Sequence, residues 1–174
     1  SLPPLLPHLS SDIVVGQVLP MLTLWFGSTY VELRREMFRT MFEVVAHCSP
    51  QHHALATVGL DLAVGKEDDV LCIASVLEGL REALLKKCFA KSKALEYVKK
   101  VAFLITHSSR EVARAAASVI EAAVTSLDPV ELAVFVLAPI APFLRAPVPV
   151  KELVKKNYDL IRPMCRVPDP TTVT

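Results

Sequence analysis

The sequence predicts an all-α fold, an α-solenoid of antiparallel helix pairs in about four repeats. Three observations carry that prediction. Apolar residues recur at helical spacing along most of the chain, helix-starting signals return at near-regular intervals, and the links between periodic segments are short.

Leu33, Met37, Met41 and Val45 rise along one helical face, as do Ile73, Leu77, Leu80 and Leu84. Leu95, Val98, Ala102 and Ile105 repeat the pattern, and Val112, Ala116, Val119, Ala123 and Leu127 give its cleanest form. Each stripe needs a partner helix to cover it. The spacing predicts helices near 12–26, 29–47, 50–63, 67–88, 92–106, 109–127, 129–144 and 148–162. Thr29 with Glu32, and Ser108 with Glu111, have capping-box spacing. Asp128, Pro129 and Glu131 supply an N-cap, a first-turn proline and an acid three residues after the cap. The links "GS", "CSP", "GKE", "AKS", "HSS", "LD" and "RAPVP" are short enough to make consecutive helices antiparallel neighbours.

Leu33, Val70, Val112 and Val150 each open a helix after a short link, at intervals of 37, 42 and 38 residues. One unit is therefore a helix pair of about forty residues, which buries its faces only by stacking on the next. Arg34 and Arg114 follow closely on two of these openings and are expected to bridge to an acid or a carbonyl in a neighbouring turn.

Composition fits a stacked segment. Hydrophobic residues make up 52%, charged residues 21%, and mean hydropathy is +0.43. A piece whose end faces are normally covered has this balance, and the start at Ser1 suggests a piece of a longer protein. Residues 13–31 and 132–144 are apolar but interrupted or short, so they are expected to be buried helices rather than membrane spans. No basic region precedes an apolar one at Ser1, so no signal peptide is evident. The net charge of +1 leaves no footprint for nucleic acid.

The run "VVAHCSPQHHALA" gathers His47, Cys48, His52 and His53. Ser49 suits a helix cap and Pro50 its first turn, which makes the run a corner between two helices. Adjacent His52 and His53 diverge by about a hundred degrees on a helix, so they do not converge on one metal ion. A Cys48–His52 pair lacks a local acid to orient the ring. Cys48, Cys72, Cys88 and Cys165 form no CxxC, and each is expected to pack as a small hydrophobe in a reduced setting. Glu67, Asp68 and Asp69 lack a calcium-loop pattern and suit a helix N-terminus. No catalytic residue, cofactor site or metal site is expected.

Two surfaces stand out. Arg81, Lys86, Lys87, Lys91, Lys93, Lys99 and Lys100 crowd residues 81–100, opposed only by Glu82 and Glu96. They form a candidate interaction surface for an acidic partner or an anionic membrane. Phe89 and Tyr97 make no stacking platform for RNA. Trp25, Phe26, Phe135, Ile140, Phe143 and Leu144 lie near helix ends, where packing in the core competes with contact to a partner.

The forty-residue unit resembles HEAT and armadillo repeats. The runs "LRREMFRTMFEVVAHCSPQHHALATVGLDLAVGKEDDVLCIASVLEGLREALL" and "VAFLITHSSREVARAAASVIEAAVTSLDPVELAVFVLAPIAPFLRAP" resemble the helical region of the pseudokinase-like regulatory subunits of class III phosphatidylinositol 3-kinase. Leu33–Arg34, Glu67–Asp68–Asp69 and "IAPFLRAP" at 140–147 carry the likeness, which covers roughly 12–162. The resemblance implies one HEAT-like domain over 1–174, drawn from a larger multidomain protein. It implies a non-catalytic scaffold in endosomal trafficking and autophagy, with a lipid kinase catalytic subunit and coiled-coil regulatory subunits as partners. It also implies cytoplasmic residence with peripheral endosomal or autophagic membrane association of the full protein. Glycine-rich nucleotide loop, HRD, DFG and WD signatures do not occur in the sequence. The alternatives are a HEAT-type adaptor in transport or assembly and a small helical enzyme using Cys48 and His52.

Overall fold

The computed structural model describes residues 8, 10–46, 48, 60–61, 69–125 and 127–143. Six helical elements follow one another, and no strand occurs among the described residues. Helix α1 runs through Ser11–Ile13, a π-helical stretch Val14–Val18, and Leu19–Trp25. Helix α2 is Val31–Ala46 and α3 is Val70–Leu85. Helix α4 is Lys91–Val101, continued as a 3-10 helix over Ala102–Thr106, and α5 is Arg110–Val124. Helix α6 runs through Pro129–Glu131, a π-helical stretch Leu132–Leu137, Ala138–Ile140, and a 3-10 turn Ala141–Phe143. Of the expected helix 50–63 only Leu60 and Asp61 are described, and both are helical; 148–162 lies outside the described residues.

The helices form two layers of a HEAT-like stack. α3 packs along α2 on one side and α5 on the other. In the second layer α4 lies against α6, and the Lys100 ammonium binds Asp61 at 2.6 and 2.8 Å, which sets residues 60–61 on the other side of α4. Cys72 reaches back to the Val31 carbonyl, and Gly79 lies against Arg39 and Phe42, so α2 and α3 run parallel. Two short links reverse the chain between α3, α4 and α5, which makes α5 parallel to them as well.

The structure sharpens the repeat to one register. Phe38, Leu77 and Ala116 are 39 residues apart in turn, as are Met41, Leu80 and Val119, and Val45, Leu84 and Ala123; all nine are buried. The second layer keeps the same step, since Asp61 and Lys100 are also 39 apart. In this register Arg34 and Arg114 are not equivalent. Arg34 donates to the Ser28 carbonyl at 2.6 Å and braces the chain as it enters α2, whereas Arg114 is exposed. The equivalents of Arg114 are Glu36 and Ser75.

Close approach of α2 and α3 depends on Gly79. A Cβ there would stand 3.0 Å from Phe42 Cδ2 and 3.2 Å from the Arg39 carbonyl oxygen. The backbone oxygen cannot swing aside as a side chain would, so the helix-propensity penalty of glycine is offset by the contact it permits.

Helix starts show how local chemistry sets the ends. Asp69 caps α3 by accepting the Cys72 N–H at 2.8 Å. Asp128 accepts the Glu131 N–H at 2.8 Å while Glu131 accepts the Asp128 N–H at 3.1 Å, a reciprocal box around the helix that Pro129 opens. The cap of α5 is Ser109, not Ser108. His107 Nδ1 accepts the Ser109 N–H at 3.1 Å, and Ser109 Oγ then accepts from Glu111 N–H at 3.3 Å, so the helix begins one residue later than the spacing suggests.

The two π-helical stretches share a cause. Pro20 and Pro139 each sit more than two turns inside a helix expected to run straight through. A helical proline lacks the N–H and crowds the carbonyl four residues back, here Gly16 and Phe135. Widening the preceding turn relieves that crowding, and Leu19 N–H donates to the Val14 carbonyl five residues back.

Gly79→Val is expected to lower stability by about 1–3 kcal/mol in chemical denaturation, with the circular dichroism of the folded state unchanged. Asp69→Ala should cost roughly 0.5–1 kcal/mol and Asp69→Asn less, because the cap is partly open to solvent. Hydrogen bonding by the Cys72 N–H, with the Arg35 charge as a minor aid, holds the Asp69 carboxyl below its ordinary value. A lowered folded pKa favours the folded state once the unfolded carboxylate is ionised, above about pH 4. The wild-type advantage over Asp69→Ala should therefore be full at neutral pH and fade as pH falls through the lowered folded pKa.

Candidate interaction surface

The basic run of residues 81–100 folds across the turn between α3 and α4, and this splits it. Arg81 pairs with Glu82 at 2.5 Å, Lys91 with Glu131 of α6, Lys93 with Glu96 at 2.7 Å, and Lys100 with Asp61. Lys93 also stands 5.7 Å above the Tyr97 ring. Two of these pairs join neighbouring helices of the second layer. Lys86, Lys87 and Lys99 remain exposed, with Lys99 roughly 12 Å along α4 from its start. Phe89 and Tyr97 are buried and meet edge to face at 5.2 Å.

Lys87 has an unusual backbone. Its φ is 56°, in the left-handed region that favours glycine. The Lys87 N–H donates to the Leu84 carbonyl and the Cys88 N–H to the Ala83 carbonyl, both at 3.0 Å. This is the Schellman ending of α3, with a lysine where glycine is usual. A cation is thereby projected from a strained corner beside Lys86.

A second surface runs over the exposed side of the α2–α3–α5 layer. It is a groove of ≈ 670 Å³. Small residues of the middle and last helices, Ala74, Ser75, Gly79, Ala115 and Ser118, keep its floor low. Four arginines and five glutamates complete its charged lining. Both signs mix along it: Arg35, Glu36, Glu111 and Arg114 lie toward helix N-termini, Arg39 and Glu78 share one mid-helix level, and Glu43, Arg81 and Glu82 lie toward C-termini. Arg35 Nε is buried with no hydrogen-bond acceptor among the described residues. Sequence reasoning missed this groove, because its walls come from three helices far apart in the chain. The 39-residue register is the signal that finds it: Thr40, Gly79 and Ser118 are equivalent small residues, and Glu43, Glu82 and Glu121 are equivalent acids.

The apolar residues near helix ends divide. Ile140 is buried, Phe143 is half-buried, and Phe26 stacks on Phe38 at 4.7 Å. Trp25 and Phe135 reach the surface, while Leu144 lies outside the described residues. On the outermost helices Leu24 is 80% exposed and Val130 72%.

Of the polar and thiol residues at the His47–His53 corner, Cys48 alone is described; His47, Ser49, Pro50, His52 and His53 lie outside the described residues. Cys48 is buried, its thiol donates to the Val44 carbonyl at 3.3 Å, and burial pushes its pKa up, away from thiolate chemistry. Cys72 is also buried and Cys88 is half-buried. Among the described residues no group of three or more His, Cys, Asp or Glu side chains is placed to hold a metal ion. No described helix is long and apolar enough to cross a membrane.

Two layers of helix pairs in one register, with outward-facing charge, define a helical-repeat scaffold of the HEAT type. Residues 16–166 match the family described as PIK3R4-like, middle domain. The chain belongs to that family, a non-catalytic domain of a phosphatidylinositol 3-kinase regulatory subunit. No curated protein and no solved structure gives a significant match.

Lys87→Gly is expected to raise stability by about 0.5–1 kcal/mol in denaturant titration, since glycine meets the left-handed backbone without a Cβ penalty. Lys86→Gly, at a residue with ordinary helical backbone (φ −75°), should not.

Proposed function

We propose that this chain is a HEAT-like scaffold segment of a larger multidomain regulatory subunit, and that it positions partners in a class III phosphatidylinositol 3-kinase complex. The family match over residues 16–166 is the observation that carries the reading. The two-layer stack supports it, because a row of helix pairs fixes distances between modules bound along its length. The partners in this reading are the lipid kinase catalytic subunit and the coiled-coil regulatory subunits. The setting is the cytoplasm, with the full protein peripherally associated with endosomal or autophagic membranes in trafficking and autophagy.

The segment acts by geometry. It brings catalytic and membrane-binding modules into register and performs no bond chemistry of its own. Lys86 and Lys87 at the α3–α4 corner, with Lys99 on α4, are the exposed cations of the basic run that an acidic partner would meet.

The test uses the full-length subunit co-expressed with its complex. Residues 16–166 are replaced by an unrelated helical-repeat segment of equal length. Lipid kinase catalytic subunit recovered by affinity purification should fall at least about tenfold if the segment contributes hot-spot contacts. Recovery at unchanged stoichiometry would overturn the scaffold reading.

A further inference from the structure

Helices α4 and α6 lie side by side in the second layer, and the 39-residue register pairs their residues one to one. Burial agrees with the pairing. Tyr97 and Val136 are both buried, as are Val101 and Ile140. Lys91 and Val130 are both exposed, as are Lys99 and Ala138, and Phe103 and Pro142. These shared exposed positions mark the outward side of the layer. A second set differs between the two helices. Val134, Leu137 and Ala141 of α6 are each more exposed than their equivalents Leu95, Val98 and Ala102 of α4. That set marks the end face of the described stack.

The two sides separate two explanations for bare apolar surface. A further helix pair stacked on α6 would cover the end face. It would leave the outward side in water, as α6 leaves that side of α4. On α4 the outward side carries Lys91, Ser92 and Lys99 beside Phe103. On α6 the equivalents Val130, Ala138 and Pro142 are apolar, and Phe135 reaches the surface where α4 has Glu96. Glu131, the equivalent of Ser92, is held by Lys91 and by the Asp128 N–H. From Leu132 to Phe143 no side chain can form a hydrogen bond. An outward side that is charged on one helix and apolar on the next, for about 18 Å, suits a partner rather than water.

The adjoining strip of α4 supplies a charge. The acids near it are occupied: Glu96 binds Lys93, Glu131 binds Lys91, and Asp61 binds Lys100. Lys99 stays exposed and unpaired among the described residues, at the level of Ala138 on the neighbouring helix.

We propose that the outward side of α6 seats an amphipathic helix of another subunit of the complex, with its apolar stripe on Val130, Phe135, Ala138 and Pro142 and a carboxylate on its α4 flank over Lys99. The seat is long, one helix wide and bordered by charge, which is the form an amphipathic helix fits. Its lack of charge favours a separate subunit over an adjoining domain. Permanent subunit contacts are the more apolar kind, whereas contacts between domains of one chain are more polar. Spanning Val130 to Pro142 takes roughly three turns of the docked helix. This rests on the scaffold reading above and adds the place and chemistry of one contact to it.

The test uses the full-length subunit co-expressed with its complex. Ala138 is replaced by the photo-crosslinker p-benzoylphenylalanine, and adducts are identified by mass spectrometry in solution and on vesicles of phosphatidylcholine and phosphatidylserine. The expected product joins position 138 to a segment of another subunit that has apolar residues at helical spacing and an Asp or Glu beside them. Val130→Glu puts a charge on the seat while suiting a helix start, where acids are favoured. It should cut the crosslink by about tenfold or more. Lys99→Glu should cut it by about threefold or more, and changing the partner's neighbouring acid to lysine should restore it. Circular dichroism and the thermal midpoint establish that each variant is folded. If Val130→Glu misfolds, Lys99→Glu with its restoring partner change decides alone.

A crosslink only within this subunit overturns the proposal, because the same chain then covers α6. So does a lipid adduct in place of a peptide, the absence of any crosslink, or a crosslink unmoved by the folded variants. The scaffold reading survives each of these outcomes if segment replacement still releases the catalytic subunit. It falls separately if that replacement changes nothing.

Discussion

The α2–α3–α5 layer rests on one packing constraint: side chains equivalent in a 39-residue register must complement one another in size across two helix contacts. The rows Phe38–Leu77–Ala116 and Met41–Leu80–Val119 taper from large to small along the layer. α2 brings bulk, α3 brings leucines and one glycine at the crossing, and α5 brings alanines. Interiors close-packed to this degree do not absorb extra volume, so the taper fixes how near each helix comes to the next. Because the three helices are held parallel and in step, equivalent positions on their outer side also line up. The outer groove is thus a by-product of the inner register: small residues become a floor, and charges of both signs line its walls.

The second layer is held by a different mixture. Buried Tyr97, Leu104, Ile105 and Ile140 supply its apolar part. Ion pairs then join its members, Lys100 to Asp61 and Lys91 to Glu131. Exposed pairs of this kind contribute little to stability, on the order of 0–1 kcal/mol each. Their effect here is to occupy cations that a linear reading leaves open to a partner. The two prolines act at opposite ends of the described stack, in α1 and α6. Each forces a widened turn that re-aims the following segment. The outermost described helices also carry the most exposed apolar residues, Leu24 and Val130.

Much of the fold was legible because helix periodicity is a local property. The stripes through Leu77 and Leu80 and through Val112, Ala116 and Val119 needed only spacing, and those residues are buried. The Asp128–Glu131 box was equally readable, because all its partners lie within four residues. Reading failed where a neighbour changed the geometry. The Ser108 spacing is sound, yet His107 takes the Ser109 N–H and moves the cap by one residue. Helix signals ran through Pro20 and Pro139, because nothing local distinguishes a broken helix from a widened one. The dispersal of the basic run depended on Asp61 and Glu131, which lie outside that run. The groove was least legible, since Arg39, Glu78 and Arg114 become neighbours only once α3 is known to sit between α2 and α5.

Charges set against helix fields cost stability, and the same choice appears at the end of three successive helices of the layer. A stack needing only to fold would place lysines where Glu43, Glu82 and Glu121 stand. Lys87 makes the parallel case in the backbone, holding a left-handed conformation that glycine adopts with less strain. Both features break local rules on the outside of a layer whose interior obeys them closely. Where a sequence satisfies its packing and propensity rules inside and departs from them outside, selection for folding alone does not account for the departure. The interior register is the property that lets such departures accumulate. It repeats each outer position at the next helix, so that a choice made once, such as the glutamate at Glu43, Glu82 and Glu121, recurs along the layer.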